Sequence, residues 1–343
     1  MDYTLQERII DLAKRSGNEK EFLRHLRAIL LELDTEVVAL EPSNTLSSVY
    51  ASFTQNLKSA IPFEKVLHSG YKSIDTSMPF YFSELIVIGA RPAMGKTQTM
   101  VNLAMKFAER YKVLFFSLEV SVEYLKDRFA SLINDIPFER IRQKNFSEEE
   151  KQRIEANTSN PILKNIFIND VMQSKIGPLI QEAERLIQEE NVKVIFIDYL
   201  QLLHSTKYSG NREMEIAYTS RCLKDLAKKY DVTIFIASQL SRAVETRGGN
   251  KSPMMSDLRE SGAIEQDADK VMFLYRPEYY GFEYDEEGNS SRGKMDIIMG
   301  KNRSGSIGKL PFIVDHNFIH IKEYEDPYAN TFINIDPSRL TEF

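Results

Sequence analysis

The run Gly89-Ala90-Arg91-Pro92-Ala93-Met94-Gly95-Lys96-Thr97 fits the pattern GxxxxGK[ST]. It follows the apolar stretch ELIVI and precedes TQTMVNLAMKFAER, the strand, loop and helix context this pattern needs. Small residues let successive backbone N–H groups curl around phosphate oxygens, and the helix that follows adds the positive end of its dipole. Ala93, Met94, Gly95, Lys96, Thr97 and Gln98 are therefore the expected phosphate-facing residues. Lys96 would reach the β and γ phosphates and Thr97 would hold Mg²⁺ through its hydroxyl. The chemistry implied is that of a nucleoside triphosphate.

Polar residues at the ends of other strands would share such a site if the strands ran parallel to ELIVI. Asp198 ends VIFID, where it either completes the Mg²⁺ site or is a solvated strand end. Glu119 ends KVLFFSLE, where it either polarises an attacking water or caps the next helix. Gln239 ends TIFIASQ, where it either contacts the γ phosphate or makes ordinary strand-end hydrogen bonds.

These residues need a scaffold that brings strand ends together. From about Gly70 onward, ELIVIGA, KVLFFSL, VKVIFID, VTIFIAS and KVMFLY alternate with amphipathic stretches, the signature of an α/β fold with a mostly parallel sheet covered on both faces. KMDIIMG, KLPFIV and NFIHI lack intervening helices and predict an antiparallel extension. In EIAYTSRCLKDLAKKY, Ile216, Leu223, Leu226, Ala227 and Tyr230 line one face, with Arg221, Lys224, Asp225 and Lys228 elsewhere. Residues 1 to about 60 read as a small helical region, and residues 324 to 343 as a tail.

Composition limits the alternatives. Apolar residues are 42% and charged residues 27% of the 343, as in ordinary globular proteins. The opening MDYTLQERIIDLAKR lacks the apolar core of a signal peptide, and no apolar run reaches the roughly 18 residues of a membrane span, so a cytoplasmic location without membrane contact is expected. Cys222 is the single cysteine and lies in an apolar helical stripe, so it is expected to pack as a small hydrophobe. His316 and His320 share a face of the expected last strand but lack a third metal ligand. The net charge of −6 argues against nonspecific coating of nucleic acid, so any such contact is local.

In order and wording, these motifs resemble the C-terminal motor domain of DnaB-type replicative helicases, members of a hexameric superfamily with a RecA-like P-loop NTPase core. The resemblance covers about residues 62 to 323, within an expected motor domain of residues 61 to 323. It rests on GARPAMGKT, FSLE, IDYLQLL at 197 to 203, ASQLSR at 237 to 242, SDLRESGAIEQDAD at 256 to 269 and GKNRSGSIG at 300 to 308. It implies ATP with Mg²⁺, Glu119 as catalytic glutamate, Asp198 as the Walker B aspartate, and Gln239 as a link between nucleotide state and DNA loops. It further implies that Lys301 and Arg303 reach a neighbouring copy's ATP site, Arg303 as arginine finger, which requires a head-to-tail ring. By the same resemblance Arg259, Glu260 and Gly262 line the channel and hold single-stranded DNA. Arg242, Arg247 and Lys251 lie in a nearby segment that either faces the channel or is a solvated loop.

Family members carry a longer N-terminal collar that contacts primase, so primase is not carried over to this chain, whereas a helicase loader is. Residues 46 to 61 resemble the family's linker helix, with Val49, Phe53 and Leu57 on one face. The expected activity is ATP-dependent translocation on single-stranded DNA by a homo-hexameric ring, 5′ to 3′. The alternative is an ATP-switched assembly or loader protein that binds DNA without processive unwinding.

Overall fold

The computed structural model describes residues 66–169, 175–205, 207–208, 210–249, 251–258, 262–284, 288–315, 317–324 and 333–334, together with 46, 47 and 51. The chain divides into two compact units, residues 1–64 and 65–343. In the first, Leu46, Ser47 and Ala51 are helical; the other helices expected there, and the face of Val49, Phe53 and Leu57, lie outside the described residues.

In the second unit, β1 (Val66–Leu67) and β2 (Phe80–Tyr81) form a short antiparallel ladder. The main sheet comprises β3 (Leu85–Ala90), β4 (Lys112–Ser117), β5 (Ile166–Asn169), β6 (Val192–Asp198), β7 (Thr233–Gln239), β8 (Lys270–Tyr275), β9 (Lys294–Asn302), β10 (Gly308–Val314) and β11 (Ile321–Glu323). Its order is β11-β10-β9-β8-β3-β7-β6-β4-β5, and β12 (Ile333–Asn334), within the expected tail, also pairs with β10. From β8 to β5 every pair is parallel, while β9, β10 and β11 join antiparallel. ELIVIGA, KVLFFSL, VKVIFID, VTIFIAS and KVMFLY form parallel strands and KMDIIMG and KLPFIV antiparallel ones, as their apolar runs predict, whereas β5 and β12 were not among the runs read as strands.

The period of two along each strand divides the core between the two faces. Ile86, Ile88, Val113 and Phe115 pack with Met100, Leu103, Ala104 and Phe107 of α1 (Lys96–Ala108) and with α2 (Val122–Asn134). Leu85, Val87, Leu114 and Phe116 pack on the other side with α3 (Ile176–Glu190) and α4 (Arg212–Tyr230). Along α4, Ile216, Leu223, Leu226 and Ala227 are buried and Cys222 half-buried. Lys224 does not face solvent as its helical position suggests. Its ammonium bonds to the Ser83 carbonyl at 2.9 Å and the Asp269 carboxylate at 2.5 Å, which the strand ends bring within reach.

NFIHI is likewise not a strand over its length. The Asp315 carboxylate accepts from the N–H groups of Ile319 (2.7 Å) and His320 (3.2 Å), so the chain turns, Phe318 takes a φ of 55°, and pairing begins only at Ile321. His316 lies outside the described residues.

Gly300 is the extra residue of a bulge, since Val271 pairs with Lys301 and Met272 with Met299. A Cβ there would sit 2.5 Å from the Phe273 ring and 3.1 Å from the Met255 sulfur, and one at Gly89, opposite Phe273 on β3, would sit 2.8 Å from the same ring. The ring fills the space that these two glycines leave. Gly300→Ala is therefore expected to cost about 1–3 kcal/mol by overpacking. Urea unfolding should show this loss, and should show part of it recovered when Phe273→Leu is added.

Candidate active site

β3 ends in the phosphate-loop sequence and α1 begins at Lys96. Gly95 (φ 91°) and Ala93 (φ 63°) take the left-handed conformation that curls the loop. No side chain caps α1. A helix leaves its first N–H groups without intrahelical acceptors, so this end suits an anion. Arg91 turns back into the protein: it bonds to the Leu240 carbonyl (2.7 Å) and to Glu245 (2.7 and 2.9 Å), which anchors the loop to the chain after β7. Met94 is buried, and the Arg276 guanidinium donates to the Ala93 carbonyl at 3.4 Å. The Gln98 side chain is committed elsewhere, donating to the Ile319 carbonyl at 2.7 Å and accepting from Arg128 at 2.8 Å. Only its main chain remains for a phosphate.

Lys96 meets the two predicted carboxylates. Its Nζ lies 3.4 Å from Asp198 Oδ1, 3.8 Å from Glu119 Oε2 and 4.2 Å from the centre of the Tyr199 ring. Asp198 is 1% exposed, and its Oδ2 accepts from the Thr97 hydroxyl at 2.5 Å. The contact with Lys96 lacks hydrogen-bond geometry, so Oδ1 is buried without a hydrogen bond. A buried carboxylate oxygen with unused capacity beside a hydroxyl is a hard-oxygen donor set that fits Mg²⁺.

Glu119 is about half exposed and stands beyond β4. It does not cap α2: Ser121 does, accepting from Tyr124 N at 3.2 Å. Gln239 pairs with Ala90 in the ladder, so it ends level with the start of the loop. Its main-chain N–H donates to Gln201 Oε1 (3.2 Å), while Gln201 Nε2 donates to Ser238 Oγ (3.0 Å) and the Gln239 carbonyl (3.3 Å). Tyr199 and Gln201 were not singled out from the sequence, although they lie one and three residues after Asp198. Burial first, then Glu119 and Asp198, raise the Tyr199 phenol, which stays protonated at neutral pH.

Lys301 and Arg303 do not join this group. Lys301 pairs with Val271 and Asn302 with Lys270, the first residues of β8, so both cations lie at the opposite edge of the sheet. Lys301 Nζ donates to the carbonyls of Glu265 (2.5 Å) and Gln266 (3.3 Å) at the end of α5 (Gly262–Asp267). Arg303 donates to the Gln266 carbonyl and to Asp269 Oδ1, the latter at 3.3 Å. Burial first, then Arg303, lower the Lys301 pKa.

Gly262 begins α5, while Arg259 and Glu260 lie outside the described residues. Of the neighbouring cations, Arg242 is exposed, but Arg247 is bound to Asp257 and to the Ser252 carbonyl (3.0 Å), and Lys251 lies 5.4 Å from the Tyr280 ring. The segment is thus tied to its own domain rather than simply solvated. Among the described residues no helix is long and apolar enough to cross a membrane.

Residues 66–323 match the family model described as DnaB-like helicase C terminal domain. The chain is 33% identical over 358 residues to Replicative DNA helicase DnaB of Rickettsia typhi (strain ATCC VR-144 / Wilmington), covering 96% of this chain and 67% of that protein. It resembles a solved structure described as an ATPase domain (TM-score 0.74, 28% identity), covering 82% of this chain and all of that one. It also resembles a solved DnaB-like replicative helicase described with its interactions with primase (TM-score 0.75, 27% identity), covering 93% of this chain and 76% of that one. The fold is the RecA-like one of these structures. The chain spans about two thirds of the length of the curated relatives it matches, or less.

Because Ser121 and not Glu119 closes the start of α2, the two carry different loads. Ser121→Ala should cost about 1 kcal/mol. Glu119→Gln should leave stability within about 0.5 kcal/mol of the parent. Thermal or urea unfolding of the two variants checks this.

Proposed function

The chain belongs to the family of DnaB-like helicase C-terminal domains, and on that premise we propose that it is an ATP-dependent DNA helicase of the replicative type. It works in the cytoplasm as a homo-hexameric ring that translocates 5′ to 3′ on single-stranded DNA, placed there by a loader. The observation that carries this reading is the convergence of Lys96, Thr97, Asp198 and Glu119 on one sheet edge while Arg303 stands at the other.

In the proposed reaction, N–H groups of the loop from Ala93 to Gln98 bind the phosphates, and Lys96 leaves its carboxylate partners for the β and γ oxygens. Thr97 and Asp198 hold Mg²⁺, which supplies charge neutralisation on the phosphates. Glu119 takes a proton from water as the water oxygen bonds to the γ phosphorus and the bond to the β–γ bridging oxygen breaks. Arg303 of the adjacent copy, with Lys301, stabilises the charge that develops. Gln239, level with the loop and held at its main chain by Gln201, senses the γ phosphate. Arg259, Glu260 and Gly262 hold the DNA backbone, a contact repeated around the ring that reconciles DNA binding with an acidic chain.

A forked DNA bearing a free 5′ tail should be unwound with ATP by the parent protein and not by Lys96→Ala, and a fork with only a 3′ tail should stay paired. ATP hydrolysis without strand separation would favour the ATP-switched loader instead. Arg303→Ala should lower ATP turnover by roughly 10³-fold or more while nucleotide binding persists.

A further inference from the structure

On the reading that Arg303 serves the nucleotide of an adjacent copy, we propose that Asp269 is the positioning residue of that finger. Asp269 sits where three elements meet. Its main-chain N–H donates to the Leu85 carbonyl at 2.9 Å, and its own carbonyl accepts from the Arg303 N–H at 2.9 Å. It is thereby fixed to the first residue of β3 and to the β9–β10 turn at once.

Its carboxylate repeats this division. Oδ2 accepts from Leu85 N at 2.8 Å and from Lys224 Nζ at 2.5 Å, and Oδ1 accepts from Arg303 Nη1 at 3.3 Å. With one oxygen held by two donors, the carboxylate plane cannot swing, and the other oxygen is presented at a fixed place. The Gln266 carbonyl at the end of α5 holds Arg303 Nη2. These two acceptors take one edge of the planar fork, and the side chain stays 48% exposed, with donors left for an anion outside the subunit. An ion pair this exposed adds little to stability, so its geometry matters more than its strength. Lys224, from α4, is the only described charge besides Arg303 that bonds to this carboxylate; Glu84 engages the neighbouring Lys270 instead.

The experiment is steady-state ATP hydrolysis with single-stranded DNA by Asp269→Asn, alone and co-assembled with Lys96→Ala, with Arg303→Ala treated in parallel. Removing a group that orients a reacting one typically costs roughly 10- to 100-fold, so kcat should fall by that order with KM for ATP little changed. Lys96→Ala subunits keep Asp269 and Arg303, so they should offer a positioned finger to the intact pockets of Asp269→Asn subunits. The mixture should then hydrolyse ATP several-fold faster than either variant alone. Parental turnover by Asp269→Asn overturns the assignment. So does a loss that mixing does not rescue while the loss in Arg303→Ala is rescued. If mixing fails to rescue Arg303→Ala, the reading of a finger in trans falls, and the assignment with it. Should Asp269→Asn unfold, Lys224→Gln, which removes one of the two donors on Oδ2, carries the same test: a smaller rescued loss supports the assignment, and no loss or an unrescued one overturns it.

Discussion

The length of β3 governs everything chemical in this domain. Its six residues span about 20 Å, farther than any side chain reaches, and they separate two edges with different contents. Because β4, β6 and β7 run parallel to β3, each delivers its final polar residues to the edge where the phosphate loop begins. Because β9 runs antiparallel to β8, its C-terminal end carries Lys301 and Arg303 to the other edge. No movement of side chains within one subunit joins the two sets. Strand direction therefore keeps the two sets apart within one chain.

At the loop edge the charges are compensated within the chain. Lys96 lies among Asp198, Glu119 and the Tyr199 face, so its charge is offset by its own subunit. In the same arrangement Asp198 Oδ1 is buried with the Lys96 ammonium 3.4 Å away as its ionic partner. The opposite edge differs: Lys301 and Arg303 rest on the carbonyls ending α5, where the helix dipole favours positive charge. In both places the cations are engaged by acceptors of their own subunit.

Much of this was legible in the sequence, for physical reasons that apply strand by strand. Runs such as VIFID and TIFIASQ are apolar on both faces because both faces are covered, and a polar residue closing such a run must stand at the sheet edge, which placed Asp198 and Gln239. What was not legible depends on pairing between distant segments. The edge strand β5 is four half-buried residues with too little pattern to distinguish it, and β12 exists only because β10 offers it a partner. Helical spacing puts Lys224 off the apolar face but cannot show its partner Asp269, 45 residues away in sequence. NFIHI alternates like a strand but loses to Asp315, whose carboxylate satisfies two of its N–H groups locally. Glu119 and Ser121 could each have capped α2, and only the structure shows that the serine does.

The contacts behind the loop explain why the residues after β7 belong with the nucleotide site although they make no part of it. Arg91, inside the phosphate loop, bonds to the Leu240 carbonyl and to Glu245, and Leu240 N in turn donates to the Ala90 carbonyl at 3.1 Å. Ser241 N then donates to the Asp257 carbonyl at 2.9 Å, and the Asp257 carboxylate holds Arg247 and the Met254 N–H. Asp257 is 2% exposed, so these bonds are shielded from water and cannot be exchanged for it without cost. A displacement of the phosphate loop must therefore either carry this segment along or break buried hydrogen bonds. The phosphate loop and the stretch from Leu240 to Asp257 are thus joined by hydrogen bonds at Ala90, Arg91 and Ser241.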